Sequence, residues 1–326
     1  MRRALALACL ALLAASGSPP PSVEACAAVG RRGPIPIVGE EALIVWDAER
    51  REEHFVRRAA FAGASGDFGF LVPTPTRPTL ADVDDAVFER LFRIYRRPDP
   101  PSRFPTPMGA RRSAMGGPGS SVRVIERRVV AGLDAAVLEA SDEDALLGWL
   151  AANGYPATAA LRDWFAPYVR ARWRITAFKL DPGGARTARS RAVRMSFRTT
   201  EPFFPYSEPP EEDAAPRPFR VSVVAPTRVE AHEGAEPWTA RVGYADRPST
   251  LRDALRGAVP EAALAETRWL TVFDDPRSER GPVDLAFAPA THRASVPAQL
   301  RRPIALGHER RRRRERLDAL DALNDL

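Results

Sequence analysis

From Ala42 to Trp46 the chain is apolar without a break, the pattern of a strand covered on both faces. A second strand is expected over Phe55 to Phe61 and a third over Phe68 to Val72, with connections short enough for a meander. Pro73, Pro75 and Pro78 follow, and each lacks the N–H that a ladder needs. The chain is therefore expected to leave the sheet there as an extended arm. Asp84 or Asp85 can cap the next helix, whose apolar positions Val87, Phe88, Leu91, Phe92 and Tyr95 lie on one face.

Residues 98–120, rich in Pro, Gly, Ser and Arg, read as a mobile loop with too little apolar content to offset its ordering entropy. Beyond them, Val122 to Val130 and Leu133 to Leu138 make a hairpin pattern around Ala131-Gly132. Ser141 with Asp144 forms a capping box for a helix through Leu146, Trp149 and Leu150, and Asn153-Gly154 ends it. Leu161, Trp164, Phe165 and Tyr168 mark another helical face, with a kink or break expected at Pro167.

The clearest alternation comes later. Trp173, Ile175 and Ala177 point one way along their segment, as do Val193, Met195 and Phe197, then Phe219, Val221 and Val223. Trp238, Ala240, Val242 and Tyr244 repeat the pattern. Four such strands predict one antiparallel sheet covered on one side. An acidic, Pro-rich loop at 208–218 separates two of them. Short helices at about Thr250 to Arg256 and after Pro260, and a strand through Trp269 to Phe273, complete an α+β fold of antiparallel sheet with flanking helices. An echo between the segments ending Phe68 to Pro78 and Phe203 to Pro210 suggests a duplicated β-rich unit.

The N-terminus adds an address. Arg2 and Arg3 precede an unbroken run of Ala, Leu and one Cys from Ala4 to Ala15, then Ser16-Gly17-Ser18 and three prolines. This is the layout of a secretory signal peptide, too short to span a bilayer, with cleavage expected after Gly17 or Ala25. The chain then divides into a signal peptide at 1–25, one domain at 26–300 and a basic tail at 301–326. The expected location is the periplasm, the outer envelope or the extracellular space. Cleavage leaves Cys26 as the single cysteine, so no internal disulfide is expected. Val23-Glu24-Ala25-Cys26 is a degenerate lipid-attachment pattern, but Glu24 fits badly where a small residue belongs, and a free thiol is the simpler reading. Charges interrupt every later apolar run, so no transmembrane helix is expected in the mature chain. The tail from Arg310 to Arg314 could dock on anionic headgroups, though a solvated tail is the plainer account.

Charge excludes one class of partner. The formal charge is +6, and losing Arg2 and Arg3 leaves about +4, too mild to argue for nucleic acid. Lys179 is the only lysine, in a chain whose Arg, Ala and Pro content fits a GC-rich genome. It continues the inward face of Trp173, Ile175 and Ala177, either as a special lysine or as a strand-end side chain snorkelling to solvent. The chain has no phosphate loop, dinucleotide turn, nucleophile elbow or paired-cysteine site, so no cofactor, metal or catalytic constellation is expected. His54, His232, His292 and His308 lack ligand spacing, and His54 beside Glu52 and Glu53 reads as a surface residue. Asp274 and Asp275 could bind a hard cation, but ahead of Pro276 they look like a turn. One collective feature remains. Arg174, Arg194, Arg198, Arg220 and Arg241 all fall on the polar face of the expected sheet. That face would repel itself unless met by acidic side chains or an anionic envelope partner such as lipid headgroups or acidic polysaccharide.

Several segments are jointly distinctive: Glu40 to Asp47, Phe68 to Pro78, Trp149-Leu150 ahead of Asn153-Gly154-Tyr155, Thr176 to Lys179 followed by Met195-Ser196-Phe197, Pro205 to Pro209, and Trp269 to Asp275. With them the chain resembles the bacterial family known as domain of unknown function 2330, over roughly residues 24 to 295. The resemblance implies no particular reaction. The expected function is a non-catalytic binding or assembly role in the cell envelope. The alternative is an extracytoplasmic enzyme using Lys179, with Asp274 or Asp275.

Overall fold

The computed structural model describes residues 28–30, 33–35, 37–62, 68–95, 122–180, 187–207, 218–264, 268–275, 281 and 283–298. The segment expected to be a signal peptide, with Cys26, the segment at 98–120, nearly all of 208–218 and the segment at 301–326 lie outside them. Two short strands, β1 (Ala28–Gly30) and β2 (Gly33–Ile35), precede the long pair β3 (Ile37–Asp47) and β4 (Glu52–Ala62). β5 (Phe68–Thr74) and β6 (Thr79–Asp82) lead into α1 (Ala86–Tyr95), where the Asp84 carboxylate accepts from the Ala86 N–H at 3.0 Å. The hairpin β7 (Val122–Val130) and β8 (Leu133–Ala140) turns at Ala131 and Gly132, with φ of 52° and 78°, as a two-residue turn requires.

α2 (Glu143–Ala152) is capped by Asp142, which accepts from the Ala145 N–H at 2.7 Å, while Ser141 donates to Asp142. The cap is therefore one residue later than the expected box. α3 (Ala159–Arg170) runs unbroken through Pro167. Pro167 and Asp163 both face solvent, so water can take the carbonyl that the missing N–H would have bonded. Then come β9 (Arg174–Leu180), β10 (Thr187–Arg189), β11 (Val193–Arg198), β12 (Phe203–Phe204), β13 (Phe219–Ala225) and β14 (Val229–Glu233). β15 (Glu236–Pro237), β16 (Arg241–Asp246), the short α4 (Leu251–Leu255), a 3-10 turn at Glu261–Leu264, β17 (Trp269–Asp275) and β18 (Leu285–Pro289) follow.

The result is mostly β, with antiparallel sheets that do not close and few helices. A six-stranded sheet runs β2-β1-β5-β9-β8-β7, an eight-stranded sheet runs β16-β17-β13-β3-β4-β11-β6 with β10 beside β4, and a four-stranded sheet runs β12-β18-β14-β15. Two expectations give way here. β3, β4 and β5 are not a meander, because β5 leaves the hairpin to pair with β9 in the other sheet. The four alternating strands are not one sheet either. β9 belongs to the six-stranded sheet, whereas β11, β13 and β16 sit apart in the eight-stranded one, where β13 pairs in parallel with β3. The two echoing segments also differ in pairing, β5 in the six-stranded sheet and β12 in the four-stranded one.

Pro73 does not end its strand; β5 continues to Thr74 against Arg174. β1 reaches only Phe68 and Gly69, so beyond them one side of β5 has no strand neighbour among the described residues to miss the proline's N–H. The layers follow from the sidedness of the sheets. Between the sheets lies the largest core, with Phe61, Phe70 and Phe178 stacked at 6.1 and 4.8 Å. Outside the eight-stranded sheet, α1 and α4 cover Leu43, Val45 and Val56; outside the six-stranded sheet, α2 and α3 cover Leu138, Ile175 and Ala177.

Candidate functional site

The β3–β4 turn, the arm after β5, the residue before β9, the connection from β11 to β12 and the start of β18 leave a cleft of about 640 Å³. Its apolar wall is made by Trp173, Phe203, Leu285 and Ala286. Trp173 and Phe203 meet edge to face at 5.3 Å. The proline arm supplies Pro75 and Thr76. Thr76 Oγ1 donates to the Arg198 carbonyl and accepts from the Arg198 N–H, both at 2.9 Å, which ties the arm to the end of β11. The β3–β4 turn is fixed to the same place, because the Arg51 carbonyl accepts from the Thr199 N–H at 3.1 Å. Arg51 holds a φ of 49° in that turn, a conformation a non-glycine residue rarely adopts. Three segments distant in sequence thus bring the Arg51 and Arg198 side chains to one cleft. Both are exposed, and neither makes an ion pair among the described residues. Arg50 beside them is taken up by Asp47 at 2.7 Å.

Asp284 stands at the mouth of β18. Its carboxylate accepts from the Tyr168 hydroxyl at 2.9 Å and the Ser207 N–H at 3.1 Å, which joins α3 to the β12 segment. Burial pushes this carboxyl up to about 6, and those donors offset only part of the effect. Behind the wall, Glu53 is 0% exposed. One of its oxygens accepts from the Phe203 N–H at 2.9 Å and the other has no partner among the described residues. Burial raises it well above the usual carboxylate range and so favours its neutral form. Sequence reasoning missed both groups. For Glu53 the signal was available, since it shares the inward parity of Phe55; for Asp284 no periodic context exists around it.

Of the five arginines expected to form one face, only Arg198 reaches the cleft. Arg174 is on the other sheet and pairs with Glu139 at 2.7 Å. Register does place Arg194, Arg198, Arg220 and Arg241 on one side of the eight-stranded sheet, but that side lies under α1 and α4. Arg220 is buried against Asp274 at 2.8 Å, with the Tyr95 and Phe92 rings over its guanidinium, and Arg241 reaches the same carboxylate at 3.5 Å. Arg194 donates to the Ala258 carbonyl at 3.1 Å, and burial lowers its pKa. The expected open face is therefore covered over Arg194 and Arg220, with Arg220 and Arg241 neutralised by Asp274, and only its end at Arg198 is left exposed and without an ion pair among the described residues.

Lys179 lies with Ile175 and Ala177 on the side of β9 that α2 and α3 cover, half-buried, but its Nζ donates to the Asn153 carbonyl at 2.8 Å and sits 5.6 Å from the Tyr155 ring. It caps the end of α2, a place suited to a compact cation. Asp274 and Asp275 are split across the strand: Asp274 serves the arginines, and buried Asp275 accepts from the Tyr206 hydroxyl. No cluster of three or more His, Cys, Asp and Glu able to hold a metal occurs among the described residues. His54 is a correction: it is 1% exposed, bonded to Ser196 Oγ at 2.9 Å, and pushed down to about 4 by burial and then by Arg194.

The model of a family described as an uncharacterised protein conserved in bacteria, DUF2330, matches residues 20–287. The chain belongs to that family. No curated protein matches the sequence. Among solved structures, baculovirus P35 shares 6% identity at a TM-score of 0.40, over 79% of this chain and 98% of P35. The P35 of a caspase-8/P35 complex shares 7% at 0.35, over 76% and 95%. Likeness this weak carries nothing about function.

The segments that mark the DUF2330 resemblance turn out to touch one another. Phe70 stacks on Phe178, and the Tyr155 ring lies against Gly69 and beneath Lys179. Tyr206 reaches Asp275, and the Ser207 carbonyl accepts from Trp164 Nε1 at 2.9 Å. Most of them build the sandwich. Pro75 and Thr76 are the part of the pattern that also lines the cleft.

Proposed function

We propose that the protein is exported and acts, without catalysis, as a binding protein of the cell envelope whose cleft seats an anionic partner. The observation that carries this reading is the pair Arg51 and Arg198 on a cleft walled by Trp173 and Phe203, with no ion pair to either guanidinium among the described residues. Two such groups on one rim repel each other mildly in water and gain when a forked anion sits between them. The signal-peptide pattern from Arg2 to Ala15 supports export. No helix among the described residues is long and apolar enough to cross a membrane. Lys179 gives the enzymatic alternative little support, since its amino group is engaged with Asn153 and it does not line the cleft.

The test is cross-linked capture from the envelope fraction with the full-length chain and with an Arg51→Glu/Arg198→Glu double variant. These two side chains are exposed, so their reversal should leave the fold intact. A partner held by the wild type, shed in high salt and lost by an equally stable double variant is the expected result. Equal capture by both chains would remove the cleft from the reading.

A further inference from the structure

We propose that the ligand of this cleft is an acidic saccharide, a pyranose ring carrying a carboxylate; this rests on the cleft being the binding site. Three features of the wall select that chemistry together. Trp173, only partly buried, offers a flat apolar surface against which the C–H face of a sugar ring can lie. Around it the lining is polar in both senses. The Thr200 hydroxyl is exposed, and the Glu201 and Asp284 carboxyl groups retain acceptor capacity toward hydroxyl donors. A hydrocarbon chain laid in the cleft would leave these groups unpaired, at a cost a polyhydroxylated ring avoids. Finally, Arg51 and Arg198 supply two forked donors for one carboxylate, while a neutral sugar would leave them unused.

The cleft's position explains why the wall is rigid enough to select. Thr76 fastens the arm to Arg198, Thr199 fastens β11 to the Arg51 turn, and Asp284 fastens β18 to α3. A cleft of about 640 Å³ also falls in the range of small-ligand sites and suits a short oligosaccharide.

The experiment is titration of the full-length protein by calorimetry with a glucuronate trimer, its neutral glucose counterpart, glucuronate monomer and phosphatidylglycerol vesicles. The trimer is expected to bind at least tenfold more tightly than the neutral sugar. Arg51→Glu/Arg198→Glu should weaken it by at least tenfold with an unchanged melting temperature. Trp173→Ala should weaken charged and neutral trimers alike, and Thr200→Val serves as a second wall variant should Trp173→Ala not fold. Tighter binding of trimer than monomer assigns the site to polysaccharide, and equal binding to a free sugar acid. If vesicles bind through Arg51 and Arg198 and the sugars do not, the saccharide is wrong and the envelope-binding role stands. If no envelope fraction, vesicle or sugar binds, both fall.

Discussion

A Cβ on Gly69 would lie 2.6 Å from the Phe178 carbonyl oxygen and inside the Tyr155 ring, so this glycine is required by close approach. Gly69→Ala is expected to cost about 1–3 kcal/mol, seen as a lower urea midpoint with an unchanged slope. Asp284 makes a different prediction. Its folded pKa of about 6 is above the ordinary aspartate value of 3.8. Its favourable contribution is therefore complete below about pH 4 and is lost as pH rises through 6, on the order of 3 kcal/mol. Asp284→Asn keeps an acceptor for Ser207 and Tyr168 and should be relatively more stable at pH 7.5 than at pH 4. Melting curves of both chains across that range check it, and a constant difference would show that the group does not titrate there.

Among the elements, β3 and β4 carry the costliest arrangement. Glu40 and Arg57 form an ion pair between the sheets, each about 2% exposed, with Arg57 over the Phe70 ring at 4.9 Å. Removing one partner leaves a charge in the core, so Glu40→Leu or Arg57→Met alone should cost about 3–5 kcal/mol, while the pair together should be close to neutral. A double-mutant cycle measures this, and additive losses would show that the two side chains do not act as a unit. β3 itself was legible from Ala42 to Trp46, where a stretch paired on both edges and covered on both faces is apolar; the buried Glu40, Glu41 and Asp47 at its ends are tolerated because arginines pair with them. β9 shows the limit. Its alternation gave the strand and the side that Lys179 shares with Ile175 and Ala177, yet nothing in the pattern named β5 and β8 as its neighbours.

At the scale of the molecule, the cleft is lined by strands of the eight-stranded and four-stranded sheets and by Trp173 before β9, and the arm after β5 is fastened at its rim. Thr76→Val removes the hydroxyl that both donates to and accepts from the Arg198 backbone. Water can replace both bonds at this exposed site, so the melting temperature should hardly move. Binding at the cleft should weaken several-fold, because the rim that positions Arg198 is loosened. Isothermal titration beside thermal melting separates the two effects, and parallel losses would make the arm merely structural.

The sequence by itself determined the long strands, the helices and, through its distinctive stretches, the family, but not the short strands or the burial of Glu53 and His54. Alternation and capping are local, so they can be read from neighbours in the chain. Partnership is not local. Whether an arginine is free or neutralised depends on carboxylates brought to it from elsewhere, as Asp274 is to Arg220 and Arg241. The same arginine pattern that read as one open face therefore became a covered network plus a single residue at the cleft. Arg51, Arg198, Trp173 and Asp284 come from four separate segments of the chain, and only the tertiary fold decided that they share one cavity.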